Sequence, residues 1–96
     1  MNKKELNNLK QELHDAFINY QAYNYLYVFS INTKDKWDLY ELYERWDDMD
    51  IKLPKQYDID IEDITNLDEF IKSLNGYLAG RSTHYSLKLK ELVKID

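Results

Sequence analysis

The sequence predicts one compact all-α domain, 1–96, built from three or four helices. Three observations predict it. Gly occurs twice and Pro once in 96 residues, so turn makers are scarce and long helices with short links are favoured. Leu6, Leu9, Leu13, Ala16, Tyr20, Tyr23 and Tyr27 alternate spacings of three and four without a break. Hydrophobic residues make up 44% of the chain, enough for a core, while 32% are charged against the usual quarter. The competing arrangement is α+β, with a small sheet drawn from 23–31, 51–61 and 85–95.

The first helix covers 3–20, with Asn2 as its cap, and its apolar stripe runs on through Tyr23 and Tyr27 to about Ser30. Residues 23–31 are rich in aromatic and β-branched side chains, which also suits a buried strand. Helix is the preferred reading because the stripe is unbroken. Asn32 and Thr33 supply caps for a second helix at about 34–49. Trp37, Tyr40, Tyr43 and Trp46 recur in it every three residues, with Leu39 and Leu42 beside them. Asp35 and Asp38 suit the positive end of its dipole, whereas Asp47, Asp48 and Asp50 oppose the negative end. The first two helices are expected to form an antiparallel pair through the 31–34 link.

Pro54 interrupts 51–64. Ile51 and Leu53 alternate, as do Tyr57, Ile59 and Ile61, which fits a short hairpin or an extended crossover. Asn66 followed by Glu69 matches a capping box before a third helix at 66–79, whose apolar face is Leu67, Phe70, Ile71, Leu74 and Leu78. Gly80 is the natural residue to end it. Ser82 or Thr83 then caps a fourth element at 84–95, read as helix from Tyr85, Leu89, Leu92 and Val93, with strand as the alternative. Gly76 and Gly80, four apart, read as a helix end near a tight packing point.

Several classes of function are excluded or left without support. A β/α barrel needs about 250 residues. Cysteine is absent, which removes disulfides, thiolate nucleophiles and Cys-type zinc sites. His14 and His84 are the only histidines, and Ser82-Thr83-His84 are neighbours that do not face one another on a helix. Asp58, Asp60, Glu62 and Asp63 alternate like a calcium loop, but Asp63 stands where such a loop needs Gly. No catalytic residue, cofactor or metal site is expected, and no enzyme activity. Arg81, Lys88, Lys90 and Lys94 are too few, against a net charge of −5, to expect direct nucleic-acid binding. The longest apolar run, Tyr25–Phe29, is far short of a membrane span, and Lys3-Lys4 are not followed by an apolar stretch. The expected location is cytoplasmic.

Charge is the informative feature. Residues 1–31 are neutral, 35–69 carry a net −9, and 70–96 a net +3. Ten carboxylates lie between Asp38 and Asp63: Asp38, Glu41, Glu44, Asp47, Asp48, Asp50, Asp58, Asp60, Glu62 and Asp63. A dense row of carboxylates can occupy a groove made for nucleic-acid phosphates and gain the same steering and salt dependence. Trp37 and Tyr40 join the acids as expected anchors, since Trp and Tyr dominate interface hot spots. Tyr43 and Trp46 extend the same aromatic row.

In general character (small, acidic, Cys-free, Lys-rich rather than Arg-rich, without a catalytic motif) the chain resembles phage-borne inhibitors of host defence, such as anti-CRISPR proteins. The resemblance is one of composition and carries no residue role. The expected function is therefore a small, non-enzymatic inhibitor. It docks through 35–69 on a basic surface of a nucleic-acid-binding protein partner in a bacterial host cell. Two alternatives stand beside it: an immunity protein that neutralises a toxic nuclease, and a self-associating helical module, a homodimer with the 6–27 stripe as its seam.

Overall fold

Each helix of this chain starts on a short polar side chain. The computed structural model describes residues 2–94. Helix α1 spans Lys3–Ile31, α2 Lys36–Asp48 and α3 Leu67–Val93. The caps are Asn2, Asp35 and Asn66, whose side-chain oxygens accept from the backbone N–H groups of Glu5 (2.8 Å), Asp38 (2.9 Å) and Glu69 (3.2 Å). Each bond satisfies a donor that the helix start would otherwise leave unpaired. The fold is all-α; among the described residues there is no strand, so the sheet from 23–31, 51–61 and 85–95 does not form.

Residues 23–31 complete α1 because helical spacing, not alternation, is what gets buried: Ala16, Tyr23, Leu26 and Ser30. Asn32 and Thr33 close this helix and do not open the next. The Asn32 amide donates to the Val28 carbonyl (3.0 Å) and the Thr33 hydroxyl to the Phe29 carbonyl (3.2 Å). Asp35, in extended backbone, takes the capping role for α2. The Asp38 carboxylate adds a bond from the Lys34 N–H at 3.0 Å.

The expected third and fourth helices are one. Gly80 does not end α3, and Ser82 and Thr83 cap nothing; all three lie inside it. Two glycines in a helix interior cost roughly 1 kcal/mol each relative to Ala. Packing outweighs that cost, because Leu74, Leu78, Ser82, Tyr85, Leu89 and Leu92 carry a single seam straight past the glycines. Neither glycine marks a tight packing point, since a Cβ at either position meets no heavy atom within 4 Å.

A contact between Lys36 and Glu62 ties the start of α2 to the residues just before α3. The start of α3 therefore lies near the end of α1, and the two long helices run antiparallel. Tyr23 stacks on Tyr85 (5.7 Å between rings), and the Arg81 guanidinium lies over both rings. That register sets Val93 level with Asp15, so Lys3–Glu12 project past the last described turn of α3. The molecule is accordingly long and thin, 54 × 20 × 19 Å.

Helix α2 folds back along the end of α1, where Arg45 reaches the Tyr25 hydroxyl (2.6 Å) and covers the Phe29 ring. This is the expected pair, but the main partner of α1 is α3. Residues 49–66 then return as an extended strap, so the hairpin reading of 51–64 gives way to the crossover. Its turn is held by the Tyr57 and Asp58 N–H groups on the Pro54 carbonyl. Tyr57 is the strap's plug. Its ring packs on Phe70 and Tyr77, and its hydroxyl bonds with Ser73. Leu39, Leu42, Leu74 and Leu78 are wholly buried around it, each contributing about 1.5–3 kcal/mol.

The apolar stripe of α1 divides between two sides of the helix. Ala16 and Tyr23 belong to the seam with α3. Leu6, Phe17 and Ile31 are exposed on the other side, Phe17 at 49%, while Leu13 and Tyr20 between them are half-buried. Among the described residues no helix is long and apolar enough to cross a membrane.

Candidate functional site

The twelve residues expected to bind a partner all lie on α2 and the strap, at the end of the molecule where α1 stops and α3 begins. Ten of the twelve are exposed; Asp38 and Glu41 are half-buried. They do not form one patch. A helix turns 100° per residue, so a spacing of three drifts round it. Trp46 is consequently in the core at 2% exposure and Trp37 is 73% exposed, which ends the idea of one aromatic stripe. Trp37, Glu41 and Asp48 share the outer face of α2. Asp38 turns toward α1, near Tyr25, Phe29 and Asn32. Tyr40, Glu44 and Asp47 face the strap.

Between α2 and the strap runs a groove of about 730 Å³. Glu44, Asp47, Asp50 and Asp60 are on its walls, with Tyr40. Five of the expected residues therefore meet in one feature. Asp48, Asp58, Glu62, Asp63, Trp37, Asp38 and Glu41 do not line it. Tyr43 and Trp46 do, as do Ile51, Leu53, Ile59 and Ile61. The strap residues carried a readable signal, their alternation, which fitted a hairpin or an extended crossover but gave no groove.

The electrostatics of this end are strongly one-sided. Among the described residues one ion pair forms between Lys36 and Glu62, 3.3 Å apart and solvent-exposed. Arg45 is turned away onto Tyr25 and Phe29. The phenol of Tyr40 donates to the Glu62 carboxylate (3.0 Å). That bond, with some loss of hydration and the charges of Glu62 and Asp60, holds the Tyr40 pKa above its ordinary value. Burial, helped by the charge of Asp58, raises Tyr43 further, and its hydroxyl donates to the Tyr57 carbonyl at 2.6 Å.

Local stability is given up here. Asp47 and Asp48 sit at the negative end of α2. Asp50 follows with φ 54°, a left-handed conformation that Gly adopts at lower cost. The Trp46 indole N–H is buried with no acceptor among the described residues, an arrangement that costs about 1–3 kcal/mol. The alternating acids of the strap bend into a 3-10 turn, Ile61–Asp63, where the Asp60 side chain accepts from the Glu62 N–H. Among the described residues no three His, Asp or Glu side chains gather closely enough to hold a metal ion.

Comparison with protein-family models, with curated proteins and with solved structures finds no significant match to this chain.

Proposed function

We propose that this chain is a non-enzymatic interaction protein that inhibits a nucleic-acid-binding partner by presenting its acidic end to the partner's basic surface. Nucleic-acid mimics of the phage anti-defence kind act in this way. One observation carries the reading: α2 and the strap hold ten carboxylates, eight of them exposed, with a single ion pair to them among the described residues, and Asp47, Asp48 and Asp50 oppose local stability. Rules of local stability broken together in one place mark a surface kept for another purpose. Along α2, successive acids three or four residues apart rise about 4.5–6 Å, comparable with the few-ångström charge spacing of a nucleic-acid strand.

The test uses the protein as bait in a bacterial lysate, with salt raised from about 50 to about 200 mM, a range over which phosphate-like contacts lose orders of magnitude in affinity. The expected result is a captured protein that binds DNA or RNA by itself, leaves the bait as salt rises, and is displaced by nucleic acid. Glu41→Gln, Glu44→Gln, Asp47→Asn and Asp48→Asn together should abolish capture. Full capture by that variant, or binding indifferent to salt, removes the proposal.

The exposed apolar side of α1 favours a second reading, self-association along the 6–27 stripe through Leu6 and Phe17. It predicts a mass in sedimentation that grows with concentration and falls to the monomer in Phe17→Asp. A constant monomer mass retires it.

A further inference from the structure

The acids of this end are unequal. Glu41 and Asp48 on the outer face of α2 line no groove, whereas Glu44, Asp47, Asp50 and Asp60, four carboxylates against the one cation Lys52, rim a groove with an apolar floor. Its volume, about 730 Å³, lies within the range that encloses ligand groups. Trp46 belongs to that floor. It is 2% exposed, and its indole N–H has no acceptor among the described residues. Ile59, on the strap side, is 43% exposed although it is large and apolar. A purely solvated acidic face needs neither an apolar trough nor a half-bare isoleucine beside it.

We propose that the groove between α2 and the strap binds a cationic peptide segment carrying one bulky apolar side chain. The apolar side chain enters the trough against Trp46, Ile51 and Ile59. Lys or Arg residues on either side of it meet Asp47 and Asp50 on one wall and Asp60 on the other. Charge complementarity selects this occupant. A neutral apolar ligand leaves the carboxylates unpaired, and a nucleic acid is repelled by them. An anchor in a trough with a charged rim is also how compact interfaces concentrate their affinity. The proposal rests on the reading of the acidic end as a partner surface and narrows it to one part of that surface.

Two synthetic peptides of about ten residues test it, equal in Lys and Arg content, one with a central Leu and one with Ser in its place. The chain has two tryptophans, so its indole N–H resonances report two places: Trp46 in the groove and Trp37 on the outer face. The Leu peptide should bind at least about tenfold more tightly than the Ser peptide, the least that burying one such side chain provides. It should move the Trp46 resonance and leave that of Trp37 in place. Asp47→Asn with Asp50→Asn should weaken both peptides, and Ile59→Ser should erase the difference between them. Glu41→Gln with Asp48→Asn, outside the groove, should change neither.

Equal binding of the two peptides, or a shift of Trp37 without Trp46, overturns the groove proposal and leaves the wider acidic face standing. Loss of partner capture in the outer-face variant with peptide binding intact supports both. If Trp46 shifts with concentration and no peptide present, a second copy is the occupant and the cationic-peptide proposal is overturned.

Discussion

At one end of the molecule α2 and the strap close over α1 and α3, and a single cluster forms from Tyr23, Leu26, Leu39, Leu42, Trp46, Tyr57, Ile61, Leu74 and Leu78. At the other end the same two helices run on with no other element of the described residues laid across them. Ala16 and Leu92 are the buried side chains there among the described residues, while Leu6, Phe17, Ile18, Leu87 and Val93 stay in water. Two helices touching along one seam can cover only a strip of each. A third element turns a strip into a core. The contrast teaches where stability resides and why the acidic end can tolerate its own repulsion: the charges stand on the best-packed part of the chain.

The largest effects should test that difference directly. Trp46→Ala removes a side chain packed on Tyr43 and Tyr77 and should cost about 3–5 kcal/mol in urea unfolding. Leu92→Ala lies in the two-helix half, where neighbours can close on the gap, and should cost about 2 kcal/mol or less. Equal losses would mean that the two ends are packed alike, contrary to the contrast drawn above.

Next comes Tyr43, which joins α2 to the strap. Tyr43→Phe loses its hydrogen bond to the Tyr57 carbonyl and should cost about 0.5–1.5 kcal/mol. Its pH dependence has a definite sign. Burial raises the phenol's pKa in the folded state, so the folded protein holds the proton more tightly than the unfolded chain. Its contribution is complete below the unfolded value of about 10 and declines as pH rises beyond it. Stability followed by circular dichroism should fall above about pH 10, less steeply in Tyr43→Phe. Identical slopes would place the alkaline loss elsewhere.

The helical class and two of the three helix starts were legible in full, because caps and apolar periodicity are local signals. Asn2 and Asn66 act as read, whereas Asp35 takes the cap expected of Asn32 and Thr33, and the start expected at Ser82 or Thr83 lies inside α3. What local signals could not supply was the partner of each face. The stripe from Leu6 to Tyr27 is continuous in sequence, yet α3 takes Ala16 and Tyr23 while Leu6 and Phe17 face outward. The same limit hid the groove. The carboxylates were legible as a row, but their division between groove and outer face depends on where the strap lies. Tyr57, held by Ser73 and Phe70 from α3, sets that position.

Glycine shows how packing and propensity compete within α3. Gly76 and Gly80 interrupt a helix that its seam holds together, and open space surrounds both. Gly76→Ala and Gly80→Ala should therefore each raise stability by about 0.5–1 kcal/mol. The gain comes mainly from a less free unfolded chain. Loss of stability in either variant would show that the glycine is needed for close approach.

The smallest effect on stability bears most directly on function. Lys36 and Glu62 form an exposed pair, and Lys36→Gln should change stability by about 0.5 kcal/mol or less. The same substitution removes a positive charge from the acidic end and frees the Glu62 carboxylate. Binding to a basic partner should then tighten at low salt and return to the parent value as salt screens the face. In a structural role the pair would give the opposite pattern: a measurable loss of stability and no change in binding. Stability and affinity should thus move independently at Lys36 if packing holds this end together while charge recognises a partner.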